Sequence, residues 1–156
     1  TFFRQLGFKT AQCPLFTVIG NKFYKTNFTG KYVLKDYGSR KMRIKILPEG
    51  VLEFLGSDKN EGLGLSIWYM DDGSLSIRPG NDTIYIATMC FSKEENLDII
   101  KWLKIRWNVN ANLAVTRQKY RIYLKLDSYD NFMKIVSPWV NKVKCMKYKL
   151  GVQYRR

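Results

Sequence analysis

The chain is organised around one stretch near its middle, Leu63-Gly64-Leu65-Ser66-Ile67-Trp68-Tyr69-Met70-Asp71-Asp72-Gly73. Its apolar side chains recur at helical spacing, which predicts a helix as far as Met70 or Asp71, with Gly73 as the helix stop. Two adjacent carboxylates at the end of an apolar run repel each other and resist desolvation. A positive charge must offset that cost, and a divalent metal ion is the obvious candidate.

Beyond Gly73 the hydrophobic pattern changes from helical spacing to alternation. Residues 74–78 and 83–87 alternate around a turn cluster, and residues 113–116 and 120–126 form a second alternating pair. Ser92 and Glu95 form a capping box that opens a helix between the pairs, and Ser128 opens another helix that Pro138 ends. The order α-β-β-α-β-β-α predicts an α+β fold in which helices cover one face of a four-stranded antiparallel sheet.

The residues before this unit carry weaker patterns. Residues 1–12 are predicted to be extended, and Pro14 is predicted to open a helix that reaches Tyr24. Residues 27–43 read as a loop or a loose hairpin, followed by a short extended piece and a short helix at 51–55. We therefore predict two parts: residues 1–60, the tail of a first unit or an extension, and residues 61–156, one complete unit.

Alternation along the strands predicts two chemically different sheet faces. The residues predicted to face the helices are Leu75, Ile77, Ile84, Ile86, Leu113, Val115, Ile122 and Leu124. The opposite face then carries the candidate nucleic-acid contacts Ser74, Ser76, Arg78, Thr83, Tyr85, Asn112, Thr116, Lys119, Arg121, Tyr123 and Lys125. Such side chains pair with phosphates and base edges, and a two-stranded ribbon fits the major groove of DNA. The alternative is an exposed polar face without a partner.

The formal net charge is +14, and its distribution is uneven. Residues 1–60 carry +7, residues 61–100 carry −5 and residues 101–156 carry +12. A polyanion bound by the two basic flanks would place its phosphates over a cation held by the acidic centre. A generic solubilising surface is the alternative.

Several classes of protein are excluded or disfavoured by composition. The chain has no histidine and three scattered cysteines without a CxxC pair, which argues against zinc sites and histidine triads. The odd cysteine number favours an intracellular reducing compartment, and the richness in Lys, Asn, Ile and Tyr suggests an AT-rich genome, such as that of a mitochondrion, a chloroplast or a phage. No apolar run is long enough to span a membrane, so no membrane partner is expected. The start at Thr1 resembles the beginning of a fragment.

Residues Leu65–Gly73 resemble the second-copy form of the LAGLIDADG signature, whose last residues read Met-Asp-Asp-Gly. Three flanking elements extend the resemblance: Lys45–Pro48 before the helix, Thr88–Ser92 between strand and helix, and Met146–Leu150 near the end. Together they cover roughly residues 8–24 and 43–150.

The resemblance implies a LAGLIDADG homing endonuclease of the single-chain, two-motif type. In such proteins two αββαββα units pack through their motif helices and form a saddle of β-sheet over DNA. The resemblance implies that Asp72 is catalytic and binds Mg²⁺, with Asp71 in support. It also implies that Lys45 and Lys149 are catalytic residues at the periphery of the active site, where they would offset charge in the transition state. The residues implied at the interface between motif helices are Gly64, Leu65, Ser66 and Trp68.

The chain departs from the two-motif pattern because it has no first motif. The expected function is site-specific cleavage of double-stranded DNA in intron or intein homing, with a second LAGLIDADG-bearing chain or fragment as partner. That partner would be an N-terminal fragment, another gene product or a second copy. A splicing maturase that binds intron RNA and a non-cleaving DNA-binding module are the alternatives. Residues 69–72 also spell the polymerase palm tetrapeptide, but a helical run precedes them and the chain is too short for a polymerase.

Overall fold

The computed structural model describes residues 22–27, 29, 31, 33–37, 40–57, 62–78, 82–116 and 119–151. The chain divides into two compact units, Thr1–Ile46 and Leu47–Arg156, so the boundary lies N-terminal to the one predicted after residue 60. The extended segment predicted for residues 1–12 and most of the helix predicted from Pro14 lie outside the described residues.

The described part of the first unit is a small antiparallel hairpin with flanking backbone bonds. Strands β1 (Leu34–Tyr37) and β2 (Arg40–Arg43) pair with Leu34 opposite Arg43. The segment after β2 pairs with an earlier segment, where the Lys25 amide donates to the Ile44 carbonyl at 2.8 Å. The hairpin alternative predicted for residues 27–43 is therefore confirmed.

The second unit has the predicted order. After a short helix α1 (Val51–Leu55), its elements are α2 (Leu63–Asp72), β3 (Gly73–Ser76), β4 (Thr83–Ile86), α3 (Lys93–Trp107), β5 (Ala111–Thr116), β6 (Lys119–Leu124) and α4 (Tyr129–Val140). Two 3-10 segments, Leu126–Ser128 and Lys144–Leu150, flank α4. The four strands are antiparallel in the order β3-β4-β6-β5, so β4 and β6 are the central strands. None of the helices in these described ranges is long and apolar enough to cross a membrane.

The core lies between the inner sheet face and the helices. Its fully buried members include Leu65, Tyr69, Ile84, Ile86, Ile99, Leu103, Ile122, Phe132, Val136 and Val140. Helix α2 packs on α4, and the rings of Tyr69 and Phe132 meet edge to face with centroids 5.1 Å apart. Buried aromatic pairs in this arrangement add to the stabilisation from burial alone.

The start of α3 shows how a short polar pattern fixes a long helix. The Ser92 hydroxyl accepts from the Glu95 amide at 3.1 Å, and the Glu95 carboxylate accepts from the Ser92 amide at 2.7 Å, which confirms the predicted capping box. The second Glu95 carboxylate oxygen accepts from the Leu47 amide at 2.6 Å. Buried Asn96 donates to the carbonyl of Ser92 at 2.7 Å and contacts Thr88. The turn between β4 and α3 is therefore held by side chains.

Two strand residues predicted to face the helices are exposed instead. Ile77 is 56% exposed because β3 ends at Ser76, so Ile77 lies past the last paired position. Val115 is 66% exposed because it lies next to the turn end of the β5–β6 hairpin, where Thr116 pairs with Lys119. Alternation predicts which face of the sheet a side chain points to, but burial also requires that a helix covers that position.

The prediction that Pro138 ends the last helix is wrong. Helix α4 continues through Val140 with Pro138 inside it. Proline removes one backbone donor, but the Asn141 amide still reaches the Ser137 carbonyl at 3.0 Å and closes the final turn. The residue predicted to cap this helix, Ser128, instead accepts a hydrogen bond from the Asn110 amide at 2.7 Å.

Candidate functional site

The organising stretch passes from helix to strand without a loop. Helix α2 ends at Asp72, later than predicted, and Gly73 is the first residue of β3. The φ of Gly73 is −82°, so this glycine is not the left-handed helix stop that we expected. Glycine is required for space: an added Cβ would lie 2.6 Å from Cε2 of Tyr69 and closer still to its Cδ2 and carbonyl oxygen.

The two carboxylates of this junction point into solvent. Asp71 and Asp72 are both exposed, and within the described ranges neither carboxylate has a hydrogen bond or an ion pair. The Asp72 main chain is fixed, because its carbonyl accepts from the Ala87 amide at 2.9 Å. The last turn of α2 has no basic residue, so the negative end of the helix dipole adds to both charges. This arrangement concentrates negative potential that a cation would relieve.

Lys149 reaches the same junction from the far end of the chain. Its side chain is 7% exposed, and its ammonium donates to the Gly73 carbonyl. The Tyr69 hydroxyl in turn donates to the Lys149 carbonyl at 2.7 Å. The structure therefore brings Lys149 to the residue directly after Asp72, as an anchor of the main chain there.

Tyr69 is a residue of this site that the sequence reasoning counted only as part of an apolar run. Burial, followed by the nearby Tyr129 and Tyr148, raises the pKa of the Tyr69 phenol above its ordinary value. The phenol therefore stays protonated and remains a donor to Lys149. A tyrosine in a fully buried helix position needs a partner for its hydroxyl, and that need was the available signal.

Lys45, the other predicted basic residue, belongs to the first compact unit. It is exposed there and forms an isolated bridge with Tyr24. Its contribution to an active site stays a prediction.

The predicted helix interface needs revision because much of it is used inside this chain. Leu65 and Ser66 are fully buried, and the Ser66 hydroxyl donates to the Gly62 carbonyl at 2.7 Å. Gly64 packs on α1, since a Cβ there would lie 2.8 Å from Cδ2 of Leu55. Trp68 is half-buried against the core. The apolar side chain that α2 leaves exposed is Ile67, at 54%.

The strand register places the predicted contact residues on the sheet face opposite the core. One row across that face consists of Ser74, Tyr85, Tyr123 and Asn112, each opposite the next. The Arg121 guanidinium lies 4.2 Å from the Tyr85 ring centroid. The other predicted contacts are Ser76 and Thr83, which face each other, Thr116 and Lys119, which face each other, and Arg78 and Lys125, which are exposed just past β3 and β6. We call the sheet face that carries all these predicted contact residues the open face, and its role in binding stays a prediction.

The donor chemistry of the junction fits a hard cation in part. Asp71 and Asp72 offer carboxylate oxygens, which Mg²⁺ prefers. Among the residues that the structure describes, no three His, Cys, Asp or Glu side chains come together as a metal site. Two carboxylates supply only part of the roughly six oxygen ligands of Mg²⁺. On their own, Asp71 and Asp72 therefore do not complete a Mg²⁺ site.

Two proteins of known name are similar in sequence to this chain. A probable intron-encoded endonuclease 1 of Wickerhamomyces canadensis is 33% identical over 89 residues, which are 55% of this chain and 38% of that protein. The cytochrome b mRNA maturase bI2 of Debaryomyces hansenii is 31% identical over 109 residues, which are 69% of this chain and 37% of that protein. The chain thus spans less than half the length of these relatives.

A solved structure of the homing endonuclease I-WcaI bound to its DNA recognition sequence has a similar fold. The TM-score is 0.57 at 29% sequence identity, and the match covers 68% of this chain and 46% of that chain. The family model of the LAGLIDADG DNA endonuclease family matches residues 2–132. That match includes the loop-free junction at Asp72 and all four strands of the sheet, and this chain therefore belongs to the LAGLIDADG DNA endonuclease family.

Proposed function

We propose that this chain is the second-motif half of a site-specific endonuclease that cuts double-stranded DNA with Mg²⁺. The observation that carries the proposal is the junction between α2 and β3. It holds an exposed Asp72, which has no partner among the residues that the structure describes, directly before the first strand of a polar sheet face. A relative named as an intron-encoded endonuclease and a neighbour bound to DNA support the same activity.

Asp72 would hold Mg²⁺ through its exposed carboxylate, with Asp71 behind it. A bound divalent ion supplies water activation and stabilises the leaving oxygen in phosphodiester hydrolysis. Lys149 would not contact the substrate directly, because its ammonium donates a hydrogen bond to the Gly73 carbonyl. We therefore revise its role from charge stabilisation in the transition state to positioning of the Asp72 main chain. Lys45 remains the candidate for offsetting charge.

The remaining ligands would come from a partner that carries the first motif, since the sequence contains a single motif and the described residues bring only two carboxylates to the junction. Exposed Ile67 on α2 offers an apolar contact for the partner's motif helix. The partner would be an N-terminal segment of the same protein, another chain or a second copy.

The open face would bind the DNA. Arg78, Lys119 and Lys125 are exposed cations along it, and the whole chain carries +14. Each phosphate contact releases counterions, so affinity should fall steeply with salt. Row residues such as Asn112 have the donors and acceptors that read base edges.

The test is Asp72→Asn in an assembly that contains both motifs. We expect cleavage of the target to fall by about 100-fold or more, while DNA binding is preserved, because only the metal-holding charge is removed. Asp98→Asn, which removes an exposed carboxylate on α3, is the matched control and should cut normally. If Asp72→Asn cuts at the rate of the unchanged protein, the assignment is wrong.

A splicing maturase is the second candidate, because a 31% identical relative is named as an mRNA maturase. A basic face with polar side chains serves RNA as well as DNA. Cleavage of an intronless target with Mg²⁺ favours the endonuclease, and stimulation of intron splicing by the Asp72→Asn assembly favours the maturase. A pure DNA-binding module would do neither.

A further inference from the structure

The open face contains a hollow that groove binding does not explain. It has a volume of about 400 Å³, and its lining includes Asp82, Thr83, Tyr85, Asn112, Tyr123 and Leu126. Thr83 lies four residues before Ala87, which bonds to the Asp72 carbonyl. Tyr85, which also lines the hollow, lies two residues before Ala87, so at about 3.4 Å per residue the hollow extends from roughly 7 to 14 Å along β4 from the carboxylate junction.

Two tyrosines from the central strands form one side of the hollow. Tyr85 and Tyr123 are directly opposite each other, with ring centroids 6.3 Å apart and ring planes tilted by 45°. The Arg121 guanidinium covers the Tyr85 ring at 4.2 Å, so Tyr123 is the tyrosine left to stack with a ligand. Leu126 adds an apolar side chain that is 62% exposed. These groups suit a flat, apolar ligand face.

The polar groups of the hollow suit the edge of the same ligand. The Asn112 amide donates to the Tyr123 hydroxyl at 3.2 Å, which orients the amide and leaves its oxygen as an acceptor. Asp82 accepts from the Arg78 amide at 3.1 Å and lines the hollow, where its charge would repel a phosphate. Carboxylate and amide oxygens accept from the exocyclic amino groups of cytosine and adenine. Lys125 also lines the hollow, and its positive charge suits a backbone phosphate.

We propose that this hollow binds one unpaired nucleobase of a single-stranded nucleic acid, stacked on the Tyr123 ring beside Tyr85, with its amino edge toward Asn112 and Asp82. The proposal rests on the proposed nucleic-acid role of the open face. Bases in a duplex are stacked on both sides and show only their edges, so they cannot lie flat on a tyrosine. An unpaired base can, and a four-stranded sheet that stacks bases on surface aromatics is a common way to bind single strands.

The experiment measures fluorescence anisotropy of labelled strands of about 16 nucleotides, the upper end of known site sizes. The RNA ligands are oligo-adenosine and oligo-uridine. The DNA ligands are single-stranded oligo-deoxyadenosine and its duplex with oligo-thymidine. For Tyr123→Ala in the 156-residue chain we expect oligo-adenosine affinity to fall about 5- to 150-fold. The loss on the duplex should be at least about threefold smaller than the loss on the strand, because a base held in a duplex cannot stack on the ring.

Two further variants separate stacking from other effects. Tyr123→Phe keeps the ring and should restore most of the single-strand affinity, whereas Lys119→Ala removes a cation at the opposite end of β6 and should weaken strand and duplex alike. Asn112→Ala should reduce the preference for oligo-adenosine over oligo-uridine. The tighter of the RNA and DNA strands identifies the source of the base.

Equal losses on strand and duplex in Tyr123→Ala, or no loss on the strand, would overturn the proposal while leaving duplex binding by the open face intact. A preference for oligo-uridine over oligo-adenosine would contradict the assigned edge contacts. If the unchanged chain binds neither strand nor duplex, the nucleic-acid role of the open face fails as well. The two failures are therefore distinguishable.

Discussion

Replacing Lys149 with methionine tests the link between the Lys144–Leu150 segment and the junction of α2 with β3. Methionine keeps most of the length and apolar bulk of lysine but removes the ammonium that donates to the Gly73 carbonyl. The Lys149 main chain and its bond from the Tyr69 hydroxyl are left in place. The variant therefore removes the charged hydrogen bond at the residue after Asp72, together with the weaker contacts of the ammonium with the Tyr69 and Tyr148 rings at 6.0 and 5.7 Å.

The expected cost follows from the environment of that bond. A hydrogen bond to a charged group contributes about 1.5–3 kcal/mol, and its loss leaves a carbonyl without a donor at a buried glycine. Two effects oppose the loss: the ammonium no longer has to be desolvated at a 7% exposed position, and the net charge falls from +14. We expect a net loss of about 2 kcal/mol in the free energy of unfolding. For a chain of this size that corresponds to a fall in Tm of about 4–8 °C.

The measurement is urea unfolding followed by circular dichroism, without metal or nucleic acid. Lys147→Met is the matched control, because it lies on the same 3-10 segment, is half-buried and removes the same charge. Its free energy of unfolding should change by less than about 0.5 kcal/mol. If the two variants lose the same stability, the bond to Gly73 does not hold the junction and the positioning role of Lys149 is refuted.

Two other predictions concern the same junction. Gly73→Ala should lower the free energy of unfolding by about 1–3 kcal/mol, because Tyr69 must move to admit a methyl group, whereas Ser74→Ala on the exposed side of β3 should be nearly neutral; equal effects in urea unfolding would contradict the steric argument. Tyr69→Phe should lower the free energy of unfolding by about 1 kcal/mol at pH 7, because the hydrogen bond to the Lys149 carbonyl is lost. As the pH rises above 10, the free energy of unfolding of this variant should fall less than that of the unchanged chain. The sign follows because the folded pKa of Tyr69 lies above its unfolded value of 10.0, so the unfolded state releases its proton first and the free energy of unfolding falls by up to about 1.4 kcal/mol per pH unit. Parallel curves for the two proteins between pH 7 and pH 11 would refute it.

The fold was predictable because local patterns agreed with one another. Helical spacing up to Met70 and alternation from Ser74 predicted the passage from α2 to β3, and the Ser92–Glu95 pair predicted the start of α3. Alternation also predicted that Tyr85 and Tyr123 share a face, which the register confirms. These inferences need only neighbours a few residues apart.

The site was less predictable because its contacts join distant residues. The bond from Lys149 to Gly73 spans 76 positions, and no pattern near Lys149 indicates that its ammonium is buried. Leu65 and Ser66 were predicted at an interface, but the chain's own helices and sheet cover them. Exposure of Ile77 and Val115 depends on where the covering helices stop, which alternation does not encode.

The absence of a loop between α2 and β3 makes the length of this junction as constrained as its composition. One residue inserted after Asp72 would have to be absorbed by the strand, where a shift of one position turns every side chain to the other face. Leu75 would then face solvent and Ser74 the core, and the rows that align Ser74 with Tyr85 would be lost. Variation among chains built this way should therefore proceed at the junction by substitution, and changes in length should accumulate where hairpins turn.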